Sequence, residues 1–166
     1  MARYVLTQQS AATVATGDTV ALTTLKYWAL GGNSATMQLK INEVQVGGEA
    51  SSAAVQVLVL GRDTTAAATS LTSVGLTNAL MEATATAPGT LALFSNSSTT
   101  FPQRSATAHL LQHSFNAFGG LVRWQARQGE EITVIGNTQP LGEVSYSGFT
   151  GTVASVVSSH CIYELV

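Results

Sequence analysis

The chain has 166 residues, of which only 10% are charged, with a net charge of −2. Ordinary soluble domains carry about 25%, so this chain has little charge with which to coat an isolated globule, and a surface partly hidden in an oligomer or larger assembly is expected. The length suits one domain spanning 1–166, the charge balance gives no basic footprint for nucleic acid, and no apolar run approaches the roughly 18 residues of a membrane span.

In chain order, "MARYVLTQQS" holds no apolar core long enough for a signal peptide, so secretion by that route is not expected. "TVALTTLKYWAL" (19–30) is rich in Thr, Val and aromatics, residue types that suit a pleated surface. In "TMQLKINEVQV" (36–46), Met37, Leu39 and Ile41 alternate with polar residues, whereas Val44 and Val46 fall on the other parity. A bulge near Glu43 would return both sets to one face. "AAVQVLVLG" (53–61) is apolar on both parities, as in a strand covered on both sides. Next, "LTNALMEATATA" (76–87) and "ATAHLLQHSFNAFGG" (106–120) fit either a strand or a short helix, the second with Ser105 as N-cap and Gly119 just past its end.

The stretch "FGGLVRWQARQGEEITVIG" (118–136) concentrates Arg123, Arg127, Glu130 and Glu131 around Trp124. Read as a hairpin turning at "QGE" (128–130), it places Val122, Trp124 and Ala126 on one face. Ile132 and Val134 would pair with Trp124 across the strands, and the indole would be buried. Arg123 and Arg127 then occupy the polar face, opposite Glu131 or Thr133, and are the candidate interface residues. "TVASVVSSHCIYELV" (152–166) reads as a long closing strand.

Between these segments, "GGNSAT", "GRDTTAAATS", "SNSSTTFPQRSAT" and "GNTQPLGEVSYSGFTG" have turn and loop composition. Many short strands separated by turn-rich loops predict an all-β, antiparallel sandwich with jelly-roll topology.

The residues that could carry chemistry do not combine into a site. His109 and His113 share a face of a helix, close enough for one metal ion, but on a strand they stand about 13 Å apart at roughly 3.3 Å per residue. No His-x-His pair followed by a glutamate ligand suggests a cupin. Ser114 adjoins His113, but strand neighbours diverge. Glu130 and Glu131 diverge in the same way and form no acid/base pair. Asp18 and Asp63 sit in turn-like contexts where a carboxylate caps backbone N–H groups. A non-enzymatic protein without metal or cofactor is the expectation. With a single cysteine, Cys161, no intrachain disulfide can form.

Two stretches, "ARYVLTQQ" and "QHSFNAFGGLVRWQARQGEEITV", resemble a family of small β proteins encoded in tailed-phage genomes. There a short N-terminal strand precedes a hairpin of the form F-N … R-W-x-A … G-E-x-I. The matching residues are Phe115, Asn116, Arg123, Trp124, Ala126, Gly129, Glu130 and Ile132, and Gln128 stands where that family often has proline. The resemblance implies a virion protein, assembled in the host cytoplasm, of the capsid decoration (cement) type: a jelly-roll homotrimer on the surface of the phage head that binds the major capsid protein. The alternative is a carbohydrate- or receptor-binding module of a tail spike or fibre, with Tyr27 and Trp28, or Tyr146 and Phe149, stacking on a sugar.

Overall fold

The computed structural model describes residues 3–10, 26–32, 36–63, 76–83, 92–95, 104–135, 142, 144–151 and 156–166. The described residues form eleven strands and no helix: β1 (Arg3–Ser10), β2 (Lys26–Gly32), β3 (Gln38–Glu49), β4 (Val55–Asp63), β5 (Leu76–Leu80), β6 (Ala92–Ser95), β7 (Arg104–Asn116), β8 (Leu121–Gln125), β9 (Ile132–Ile135), β10 (Val144–Gly151) and β11 (Val156–Leu165). One sheet has the order β5-β1-β11-β3-β8, with β9 also paired to β3. The other has the order β6-β2-β10-β4-β7. Every pairing is antiparallel. The fold is an antiparallel β-sandwich.

One core joins the two sheets. Leu39, Ile41, Val44 and Val46 of β3 and Cys161 and Tyr163 of β11 meet Trp28 and Leu30 of β2, Leu58 and Leu60 of β4, and Tyr146 of β10. Each of these side chains is fully buried. Burying a large aliphatic residue contributes roughly 1.5–3 kcal/mol. The Trp28 indole Nε1 donates to Ser159 Oγ at 3.1 Å and so ties β2 to β11 of the opposite sheet.

The phase change in β3 is a bulge. Ile162 of β11 is the partner of Glu43 while Tyr163 is the partner of Ile41, which leaves Asn42 as the extra residue. That extra residue lets Leu39 and Ile41, on one parity, and Val44 and Val46, on the other, all reach the core. In β4, Leu58, Val59 and Leu60 are all fully buried, which explains why its sequence is apolar on both parities.

The expected hairpin is not formed. Val122 and Trp124 of β8 pair with Val46 and Val44, while Ile132 and Val134 of β9 pair with Ile41 and Leu39. Both strands run antiparallel to β3 along the same edge, hence parallel to each other, as one strand interrupted at residues 126–131. The interruption faces the β3 bulge, where Ala126 N donates to Asn42 O at 2.8 Å. Within it, Glu130 N donates to Arg127 O at 2.9 Å in a turn that holds Gly129 at φ 86°. Trp124 is therefore half-buried and has Val44, not Ile132 or Val134, as its cross-strand partner.

The two ambiguous segments are strands. The one around His109 and His113 is the 13-residue strand β7, with Ser105 inside it rather than capping a helix. Likewise Leu76–Leu80 of the other ambiguous segment is strand β5. The Ser- and Gly-rich stretch expected to be a loop contains β10, an interior strand between β2 and β4. Val144 and Tyr146 of β10 face the core, and Ser145 and Ser147 between them are also fully buried. Small residues serve there because both faces of the strand are covered.

Strand β7 crosses from one sheet to β8 of the other through a tight corner at Asn116–Gly120. Asn116 Oδ1 accepts from Ala54 N at 2.9 Å and from Phe118 N at 3.0 Å. Ala117 N donates to Ala54 O at 2.7 Å, Gly120 N to Asn116 O at 2.8 Å, and Gly48 N to Gly120 O at 3.3 Å. Phe115 and Asn116 of the F-N pair thus act structurally, since Phe115 anchors the strand end in the core and Asn116 builds the corner.

Candidate functional site

Two surface features stand out among the described residues, a polar groove and an apolar corner, linked by β8. The groove, with a volume of about 360 Å³, opens where the β3 bulge meets the 126–131 excursion. Its lining includes Asn42, Glu43, Gln125, Glu131, Ile162 and Glu164. The bulge creates it, because the extra residue places Asn42 and Glu43 beside each other opposite β11.

Charges at the groove are held by partners within the chain. Arg123 grips Glu43 in a bidentate pair, Nε to Oε1 at 2.8 Å and Nη2 to Oε2 at 2.6 Å. Such fork-on-fork hydrogen bonds are short and directional, and they hold the Arg123 guanidinium above its ordinary pKa. Glu43 is buried on this outer side, whereas Arg123 is half-exposed. The hairpin reading of the sequence puts Arg123 opposite Glu131 or Thr133 and misses Glu43, which lies 80 positions away.

Glu131 instead accepts from the backbone N–H of Gly129 at 3.0 Å. Its carboxyl is held below the usual range, first by that backbone bond and more weakly by Lys40 at 4.0 Å. A depressed carboxylate stabilises the fold above its ordinary pKa, and the contribution is lost as pH falls through the lower folded value. Glu131 keeps 17% of its side-chain surface exposed, so solvent screens part of this effect. Arg127 is exposed on the same excursion.

The apolar corner carries Phe118 (59% exposed) and Leu121 (63%), with Val55 (55%) opposite Asn116 in the β4–β7 register. Large apolar side chains this exposed, around a turn fixed by hydrogen bonds, are an unusual surface feature.

The other candidate residues fall elsewhere. His113 is buried, while its neighbour Ser114 is exposed on the opposite face of β7. His109 is exposed on the same strand. Among the described residues no group of three or more His, Cys, Asp or Glu side chains is placed to hold a metal ion. Asp63 lies within β4 rather than in a turn, and its Oδ1 accepts from the Ser145 hydroxyl at 2.5 Å. Asp18 is outside the described residues. Trp28 and Tyr146 are fully buried and stack on each other, with ring centroids 5.3 Å apart, so neither can present a face to a sugar. The side chains of Tyr27 and Phe149 are outside the described residues.

Cys161 is fully buried, and burial pushes its thiol pKa well up. A thiol kept protonated is a poor nucleophile. The folded protein is therefore expected to resist iodoacetamide and to take up one equivalent only when denatured; rapid labelling of the native protein would contradict the core placement.

No family model matches the sequence, and no curated protein matches it either.

Proposed function

We propose that this is a non-enzymatic structural protein that self-associates: a capsid decoration (cement) protein that binds the major capsid protein on the phage head as a homotrimer. The observation that carries this reading is the exposed apolar corner of Val55, Phe118 and Leu121 on a chain with only 10% charged residues. An exposed apolar surface held rigid by backbone hydrogen bonds loses little entropy on docking, and closed symmetry turns such association into a finite assembly.

The strand order supports a jelly-roll. In one sheet β1, β11, β3 and β8 follow one another, and in the other β2, β10, β4 and β7 do so. Pairs consecutive in sequence (β1 with β2, β3 with β4, β7 with β8, β10 with β11) divide between the sheets, as when a doubled ribbon is wound over a core. On this topology β5 and β6 are additional edge strands, and β8 with β9 acts as one.

Arg123 and Arg127 are the polar part of the proposed contact, beside the corner on the same edge. Arg127 is exposed, and Arg123 presents the outer side of its guanidinium while holding Glu43. Three copies would offer three identical loop sets to a shell, and linked weak contacts gain about 10²–10⁴ in avidity. The second reading, a glycan- or receptor-binding module of a tail spike or fibre, draws on the groove, whose amide and carboxylate side chains suit sugar hydroxyls.

Light scattering at micromolar concentration is expected to give a trimer. Replacing both Phe118 and Leu121 with Ser should dissociate it, since each anchor lost from a contact centre costs about 1–2 kcal/mol or more, roughly tenfold in affinity per 1.4 kcal/mol. Co-sedimentation with shells assembled without this protein tests the second step. A monomeric wild type would sink the trimer, and a trimer that ignores shells while binding glycans would move the assignment to the second reading.

A further inference from the structure

A string of buried polar and aromatic groups crosses the sandwich and ends on an ionisable side chain. His113 lies in β7, a strand that pairs only with β4 among the described strands, and the residue is 6% exposed. A hydrogen bond of 2.9 Å joins its Nδ1 to Tyr146 Oη on β10. The His113 and Tyr146 rings meet edge to face, with centroids 6.0 Å apart. Tyr146 stacks on Trp28 of β2, and Trp28 donates to Ser159 of β11 in the other sheet. The described neighbours of His113 along the strands are aliphatic and aromatic: Leu58 is its register partner on β4, and the core residues Phe115 and Leu111 flank it along β7.

We propose that His113 is an acid-sensitive catch: proton uptake by its imidazole loosens β7 from the core, and with it the Asn116–Gly120 corner that β7 carries. In the neutral ring one nitrogen accepts and the other donates, so Nδ1 can accept from the tyrosine hydroxyl. In the imidazolium both nitrogens donate. The hydroxyl must then turn to accept, and a full charge sits in an apolar pocket, which is costly unless a counter-charge is supplied.

Among the described residues the neighbouring groups supply none. On β10 the facing titratable group is the Tyr146 phenol, and on β11 the core holds the Cys161 thiol and Tyr163 phenol. Phenols and thiols ordinarily ionise above pH 8. On β4, Arg62 lies at the strand end, donating to Gly142 O at 3.2 Å, and Asp63 is bonded to Ser145, whose side chain alternates away from the core. On β3, Glu43 is on the outer face with Arg123. His160 of β11 alternates outward between Ser159 and Cys161, and His109 of β7 is exposed.

Burial holds the His113 pKa below its ordinary value. The sign follows from linkage: the group's contribution is complete above about pH 6.5, the unfolded value. It is lost as pH falls from there to the lower folded value, and is constant below that. Within this window the folding equilibrium constant falls by up to tenfold per pH unit. The catch belongs to the core and operates whatever the protein binds.

The test is urea unfolding of the wild type and of His113→Gln between pH 5 and 8, with a ¹⁵N–¹H titration of the wild-type imidazole ring. The expected result is a decline in the wild-type folding constant below pH 6.5 that His113→Gln largely lacks, with the ring titrating below 6.5 in the folded protein. Amide exchange at pH 5, corrected for intrinsic rate, should show β7 and residues 116–120 losing protection before β3 and β11. Should His113→Gln fail to fold, the ring titration and the exchange pattern decide the matter alone. An equal decline in the variant, a ring pKa at or above 6.5, or β7 protection that follows that of β3 at both pH values would each overturn the proposal.

Discussion

Trp28→Ala is expected to lower the stability of the fold by about 3–5 kcal/mol, the range for truncating a buried large aromatic residue. Three losses combine at this position. The indole is fully buried between the sheets, so its removal leaves a cavity that the flanking strands β6 and β10 can close only in part. Its stacking on Tyr146, with planes inclined by 30°, disappears, and aromatic pairs contribute about 0.5–1.5 kcal/mol beyond burial. Ser159 Oγ also loses its donor from across the core, which leaves a buried hydroxyl to be satisfied elsewhere. Trp28→Phe should keep most of the packing and lose chiefly the hydrogen bond, at about 0.5–1.5 kcal/mol. Urea midpoints at unchanged m-value, taken at one protein concentration, measure both. A Trp28→Ala loss below about 1 kcal/mol would mean that the ring does not join the sheets.

What the sequence reveals and conceals has a physical pattern. A strand's period of two tells which face a side chain occupies, not which strand lies beside it. The phase shift between Ile41 and Val44 therefore locates the bulge to within a residue. Val122, Trp124, Ile132 and Val134 likewise pack toward the core as their alternation implies. Their partner is not legible in the same way, because a turn at Gly129 ordinarily signals a hairpin, whereas here β3 offers one edge long enough to take both strands.

The Glu43–Arg123 pair is invisible for the same reason: it depends on long-range register. Its one local trace is a carboxylate at the change of phase. Strand β10 has the composition of a loop because Ser145, Ser147 and Gly148 suppress the hydrophobic signal. They are small because both faces of that strand are buried, and burial of this kind leaves no alternation to find. In β7 the inward residues Leu111 and Phe115 fit a spacing of four as well as of two. Period alone does not separate helix from strand there.

Gly120→Ala should be strongly destabilising. A Cβ at Gly120 would stand 2.1 Å from the carbonyl oxygen of Asn116 and 3.0 Å from its carbon, both rigid backbone atoms. That same oxygen accepts the Gly120 N–H, so moving it aside breaks the bond that closes the corner. The disturbance spreads to both ends: Asn116 Oδ1 bridges Ala54 and Phe118, and Gly120 O accepts from Gly48. Overpacking costs about 1–3 kcal/mol and a lost hydrogen bond about 0.5–1.5 kcal/mol, so the expected loss is roughly 2–4 kcal/mol in denaturant unfolding.

Gly119→Ala is the control. Its φ of 75° penalises any side chain, but nothing lies within 4 Å of the added methyl, so about 1–2 kcal/mol of backbone strain is the whole cost. The order matters more than the values. If Gly119→Ala were the worse of the two, the corner could not be built on the Asn116–Gly120 contact. If Gly120→Ala is the worse and also weakens self-association while the chain remains folded, the corner that joins the sheets is also the surface on which copies meet, since Phe118 and Leu121 are held in place by the bonds that this methyl disrupts.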